Sequence, residues 1–226
     1  MNRRARPAAA ARRALWRTVL ALMGGLRVQG VPGLPAGPCV IVANHRSHAD
    51  TAALIAALPA GRRPAVAAAA DYWFRGTLRP GICRALCAAF PVRRTGGGSA
   101  DLASAARLLA AGHDVIVFPE GTRSRDGRTG RFHRGAACLA AAAGVPLVPA
   151  GISGTGTLLP PDGARRRPRR GVVIVRIGAP VNVAEMAERL AGAGGDAVAD
   201  ATGEARARVE ALMGTAISGG RLFPGR

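Results

Sequence analysis

Apolar residues along this chain fall into short runs separated by polar or glycine-rich turns, and the runs are of two kinds. "CVIVA" (39–43), "PAVAAAA" (64–70), "AFPV" (89–92), "DVIVFP" (114–119), "VPLVPAGI" (145–152) and "VVIVRIG" (172–178) are brief and apolar throughout or nearly so. Between the first five lie longer alanine- and leucine-rich stretches: "TAALIAAL" (51–58), residues 73–88, "SADLASAARLLAAG" (99–112) and "GAACLAAAAG" (135–144). The brief runs read as buried strands and the longer stretches as helices. Their alternation predicts an α/β fold, a mainly parallel sheet flanked by helices on both faces, with an N-terminal basic amphipathic helix. Ligands of such sheets lie beyond the carboxyl ends of the strands, so the loops opening at Asn44, Arg93 and Glu120 are expected to converge. A Gly/Pro connector at 30–38 and a Gly/Ala-rich tail divide the chain into an N-terminal helix (1–30), a main domain (31–192) and a tail (193–226) with a modest helix near 203–217.

The N-terminal pattern stands apart. "ALWRTVLALMGGL" (14–26) is apolar except for Arg17 and Thr18. As a helix it rises roughly 20 Å, short of the roughly 30 Å hydrocarbon core of a bilayer. With Arg12 and Arg13 before it and Trp16 within it, it reads as a helix lying in the membrane interface, with Leu15, Trp16, Val19, Leu22, Met23 and Leu26 as its buried side. A docked core helix and a cleaved signal peptide are the alternatives.

Charge sharpens this reading. Basic residues outnumber acidic ones 32 to 13, a net charge of +19 with every basic residue an arginine. Residues 1–49 hold eight arginines and no carboxylate, which makes Asp50 the first acid in the chain. Such an excess favours anionic lipid surfaces, phosphorylated substrates or nucleic acid. The last is disfavoured, because two tryptophans, one tyrosine and five phenylalanines make few stacking platforms and no recognition motif is present. "ARRRPRR" (164–170) is a solvated loop or a second membrane contact. The four cysteines show neither zinc-site spacing nor the density of a disulfide scaffold, implying a reducing compartment and no metal.

Three loops carry candidate chemistry. In "NHRSHAD" (44–50), His45 and Asp50 flank a strand-to-helix turn. A carboxylate on one ring nitrogen leaves the other free to take a proton from a hydroxyl. The same letters contain an S-x-x-D capping box, with Ser47 as cap if the helix begins there, so both readings stand. His48 is expected to be an exposed helix residue. In "FPEGTRSRDGRTGRFHRG" (118–135), Glu120 and Arg123 either pair with each other or serve a ligand, a guanidinium holding a phosphate and a carboxylate accepting from a hydroxyl. "FPVRRTGGGS" (90–99) sets Arg93 and Arg94 beside glycines whose amides can approach an anion.

Taken together the loops resemble a family. "NHRSHAD" is similar to the N-H-x-S-x-x-D block of the glycerolipid acyltransferases, "FPVRR" to their second block, "FPEGTRS" to their third and "VPLVPAGISG" (145–154) to their proline-bearing fourth, in the family's order over roughly residues 35–180. Within the family the chain most resembles the lysophosphatidate acyltransferase branch. The resemblance implies His45 as general base and Asp50 as its partner. It implies Arg94 and Arg123 at the acceptor phosphate, Glu120, Gly121 and Thr122 around the acceptor, and Pro149 on the acyl-donor side. Alanine replaces a usual glycine in "CAA" (87–89), and His133 stands where a lysine is common.

The implied reaction moves a fatty acyl group from acyl-CoA or acyl-ACP, a co-substrate rather than a cofactor, to lysophosphatidic acid. It proceeds without a covalent enzyme intermediate, at the cytoplasmic face of the cell membrane, with the protein peripheral or monotopic. Backbone amides at residues 47–50 are expected to meet the developing oxyanion. A related enzyme acting on another lysolipid, such as a lyso-ornithine lipid, is the alternative within the family and would lean less on Arg94 and Arg123.

Overall fold

Val40–Ala43 (β2) lies at the centre of the sheet because each of its four residues is apolar and tolerates burial on both faces. The structure, a computed structural model, describes residues 5–93, 98–124, 128–160, 167, 169–190 and 195–214. Among them, α1 (Ala5–Leu22), β1 (Leu26–Gln29) and a 3-10 turn (Val31–Gly33) precede β2. Then come α2 (Ala49–Ala57), β3 (Pro64–Ala69), α3 (Ala70–Trp73), α4 (Leu78–Cys87), β4 (Ala89–Val92), α5 (Gly98–Ala110) and β5 (Asp114–Val117). The chain continues through α6 (Gly135–Ala143), β6 (Leu147–Ser153), α7 (Thr155–Leu158), β7 (Val173–Ile177), α8 (Val183–Leu190) and α9 (Ala197–Gly214).

The strands pair in the order β1-β7-β6-β2-β5-β3-β4, all parallel except β6 with β7. Period-two alternation sends Ile41 and Ala43 to one face and Val40 and Val42 to the other, and each face builds its own core. Ala53–Ala57 of α2, the following Leu58 and Leu20 of α1 join the first face. The second is covered by Ala105 and Leu109 of α5, Ala136, Ala137, Leu139 and Ala140 of α6, Met186 of α8, and Ala201 and Ala205 of α9.

Several elements differ from their sequence-based expectations. The N-terminal helix ends at Leu22, not Leu26. Gly24 and Gly25 adopt φ 126° and 110°, and a side chain on Gly24 would meet the Gly171 backbone at 2.7 Å. Leu26–Gln29 then pairs with β7 as an edge strand. The helix expected over 73–88 is two, α3 and α4, parted by a turn with Gly76 at φ 77°. In the tail α9 begins at Ala197 and packs on β6, where Leu212 comes so near that a Cβ on Gly151 would lie 2.6 Å from it.

α1 is docked, which corrects the list of membrane-facing side chains. Leu20 and Leu26 are 2% and 4% exposed, and Trp16 and Met23 pack against the first core. Arg13 and Arg17 donate to the Leu58 and Ala56 carbonyls at the end of α2, while Arg12 and Trp16 donate to the Ala85 and Leu86 carbonyls at the end of α4. Cations there complement the negative end of each helix dipole and satisfy its last carbonyls. Of the six apolar residues expected to face lipid, Leu15 and Leu22 are exposed, at 44% and 68%. Most of the segment 164–170 lies outside the described residues.

Candidate active site

β2 stops at Ala43, but its pairing with β6 continues for one more residue through a side chain. Asn44 Nδ2 donates to the Ile152 carbonyl at 3.0 Å, and its Oδ1 accepts the Ile152 N–H at 2.8 Å. This amide stands in for a strand's own ladder and fixes the chain where the turn to α2 begins. The next residue, His45, points Nδ1 at Asp50 Oδ2, 2.9 Å away.

α2 starts at Ala49, later than a cap at Ser47 implies, so Asp50 is its second residue. Its Oδ2 also accepts the main-chain N–H groups of Arg46 and Ser47, each at 2.7 Å. One carboxylate oxygen therefore performs both functions that the sequence presents as alternatives: it closes the turn and orients the imidazole. Ser47 Oγ accepts the Ala49 N–H at 3.1 Å and donates to the Leu159 carbonyl at 2.7 Å, tying the turn to the end of α7. The Asp50 side chain is fully buried, while His45 keeps 18% exposure. With Nδ1 engaged, Nε2 is the nitrogen that can take a proton.

The loop after β5 meets this turn, since β5 and β2 are adjacent parallel strands. Phe118 stacks on the His45 ring, with centroids 4.1 Å apart and planes 19° from parallel. Glu120 Oε1 accepts the His45 N–H at 2.7 Å, and the Ser124 N–H donates to the His45 carbonyl at 2.8 Å. Glu120 Oε2 accepts the Gly130 N–H at 2.8 Å. The two oxygens of Glu120 thus hold main-chain amides, in place of the Glu120–Arg123 pair expected as one alternative. Gly121 takes φ 69° at the close of a turn in which its N–H reaches the Phe118 carbonyl at 3.1 Å, and His133 lies over it, its N–H on the Pro119 carbonyl at 2.9 Å.

Other expected site residues are placed less tightly. Thr122 is exposed and Arg123 half-buried on the same loop as Glu120. Arg94 lies outside the described residues. Arg93 pairs with Asp101 of α5, and β4 is separated from β2 by β3 and β5. The loops opening at Asn44 and Glu120 converge as expected, while the loop opening at Arg93 continues into residues 94–97, outside the described residues. Pro149 is buried in β6 opposite Val42, and its carbonyl accepts the Gly178 N–H at 2.8 Å. His48 is half-buried against Tyr72 and Trp73, at ring-centroid distances of 6.1 and 5.1 Å, rather than exposed. Of the amides at 47–50 expected to meet the oxyanion, those of Ser47, Ala49 and Asp50 are engaged within the turn. Sequence reasoning assigned no role to Asn44 or Phe118, although both lie inside the motifs it singled out.

The chain is similar to known proteins in sequence and in fold. A family model described as Acyltransferase matches residues 25–153. The chloroplastic 1-acyl-sn-glycerol-3-phosphate acyltransferase BAT2 of Brassica napus is 35% identical over 137 residues, 59% of this chain and 38% of that protein. The 1-acyl-sn-glycerol-3-phosphate acyltransferase alpha of Homo sapiens is 36% identical over 116 residues, 51% of this chain and 40% of that protein. The chain spans well under half the length of these curated relatives. The crystal structure of the 1-acyl-sn-glycerophosphate acyltransferase PlsC from Thermotoga maritima shares the fold, with a TM-score of 0.66 at 24% identity over 92% of this chain and 81% of that one. The dyad turn and the loop that grips it fall within a matched region exceeding half of the sequence, and the chain belongs to the acyltransferase family.

Proposed function

We propose that this protein transfers a fatty acyl group from an acyl thioester, acyl-CoA or acyl-ACP, to the free hydroxyl of lysophosphatidic acid, forming phosphatidic acid. The observation that carries the reading is the 2.9 Å contact between His45 Nδ1 and the buried Asp50 carboxylate, in a family whose similar members bear that activity in their names. His45 Nε2 takes the acceptor's hydroxyl proton as its oxygen attacks the thioester carbonyl carbon. The C–S bond breaks, and the leaving thiolate recovers the proton from the imidazolium. Asp50 holds the ring in one tautomer and stabilises the imidazolium, the role a carboxylate plays beside a catalytic histidine. Arg94 and Arg123 are assigned to the acceptor's phosphate, which orients its hydroxyl.

The lysolipid acceptor places the reaction at a membrane surface, here assigned to the cytoplasmic face. No helix among the described residues is long and apolar enough to cross a membrane. The contact is assigned to the exposed Leu15 and Leu22 of α1 with Leu78 and Ile82 of α4, 77% and 55% exposed and one helical turn apart. Exposed Arg75 and Arg79 lie beside the latter pair and suit anionic headgroups. Incubation of the protein with acyl-CoA and lysophosphatidate in anionic vesicles tests the reading: phosphatidate and free thiol should appear in equal amounts. Thiol release with a lyso-ornithine lipid but not with lysophosphatidate would assign a different acceptor.

A further inference from the structure

The carboxylate of Glu120, assigned to the acceptor by resemblance, is built into the protein's own backbone. It is 9% exposed, and its oxygens hold the His45 N–H at 2.7 Å and the Gly130 N–H at 2.8 Å. The segment around it touches His45 at two further points, through the Phe118 ring on the imidazole face at 4.1 Å and the Ser124 N–H on the His45 carbonyl at 2.8 Å. Asp50 holds the ring at Nδ1. The base is therefore gripped at its amide, its carbonyl, its ring face and one ring nitrogen, three of the four by residues 118–124.

Resting on the acyltransfer reading, we infer that Glu120 is a positioning residue for His45, not a ligand of the acceptor. A charged acceptor makes a stronger bond to an N–H than a neutral one. One carboxylate spanning two amides locks the loop after β2 to residue 130. Gly130 leaves room for this, since a Cβ there would lie 3.1 Å from Glu120 Oε2. The acceptor oxygen must face the thioester carbon while its proton points at Nε2, so a small displacement of the His45 backbone lowers turnover without altering what the substrates touch.

Glu120→Gln tests this in the full-length protein. Glutamine offers one oxygen for one amide and turns an NH2 toward the other, a donor facing a donor. The expected result is a fall in kcat of about 10- to 100-fold with both Michaelis constants changed less than about twofold, and faster amide hydrogen exchange in peptides covering residues 44–50 and 128–134. Should Glu120→Gln fail to fold, Glu120→Asp, which keeps the charge but shortens the reach, is expected to give the same pattern. A tenfold or larger rise in the Michaelis constant for lysophosphatidate at unchanged kcat, with exchange as in the parent, would overturn the inference and return Glu120 to the acceptor. Exchange is read without turnover. If the parent protein acylates no lysolipid, the functional reading fails, and exchange in the variant still decides whether Glu120 holds His45.

Discussion

The indole N–H of Trp16 in α1 donates to the carbonyl of Leu86 in α4 at 2.8 Å, and with Leu20 buried against the sheet it makes the N-terminal helix part of the folded domain. Leu20→Ala should therefore lower unfolding free energy by about 2–5 kcal/mol, and Trp16→Phe by about 1 kcal/mol. Denaturant unfolding monitored by circular dichroism is the check. Unchanged midpoints would mean that the helix is held by lipid rather than by protein.

Vesicle binding should depend instead on the residues that face outward. Leu78→Ala with Ile82→Ala is expected to leave the unfolding midpoint unchanged and to reduce co-sedimentation with anionic vesicles, above all at high ionic strength, where screening weakens the arginines but not apolar burial. Equal sedimentation of parent and variant across a salt series would remove α4 from the contact.

For the acceptor, Arg123→Ala should raise the Michaelis constant for lysophosphatidate far more than that for the acyl donor. The lost charge-assisted contact corresponds to about 1.5–3 kcal/mol. Equal rises for the two substrates would make Arg123 a structural residue of the loop.

Much of the fold was legible because burial on both faces of a parallel sheet leaves uninterrupted apolar runs, and β2 to β7 each fall on one of them. β1 escaped because "LRVQ" is four residues long, contains an arginine and lies at the sheet edge behind two glycines. α8 carried a usable signal that went unread: Asn182 accepts the Ala184 and Glu185 N–H groups and donates to the Glu185 carboxylate, an N-terminal cap visible as N-x-x-E. In the site, His45 and Asp50 could be paired because they are five residues apart across one turn. The bonds of Asn44 to Ile152, Ser47 to Leu159 and Glu120 to His45 join positions 108, 112 and 75 residues apart, and only the sheet order brings them together. Trp16, Met23 and Leu26, expected to face lipid, pack on protein instead, because amphipathic helices that dock on protein and on lipid share one pattern.

Acid sensitivity should arise at His113. His113 points Nδ1 at the Arg63 carbonyl and Nε2 at the Arg63 guanidinium, so burial and that neighbouring charge hold its pKa below the usual imidazole value. The unfolded chain then binds the proton more readily than the folded one. Stability is present above the ordinary histidine range and is lost as pH falls from there through the depressed folded value. Unfolding midpoints of the parent protein should drop over that interval, and those of His113→Gln should drop less. Parallel curves would assign the acid limb to other groups.

Asp50→Asn separates orientation of the base from closure of the turn, because asparagine's oxygen can still accept the Arg46 and Ser47 amides but carries no charge to stabilise an imidazolium. Single-turnover acyl transfer from acyl-CoA to lysophosphatidate, measured for the parent, His45→Ala, Asp50→Asn and His48→Ala with folding verified by circular dichroism, is the most direct test of the dyad. The expected result is a loss of about 10²- to 10⁴-fold for His45→Ala and a large loss for Asp50→Asn, with His48→Ala near the parent rate. Folded His45→Ala and Asp50→Asn proteins that transfer the acyl group at the parent rate would contradict the assignment and leave residues 44–50 as a helix cap alone.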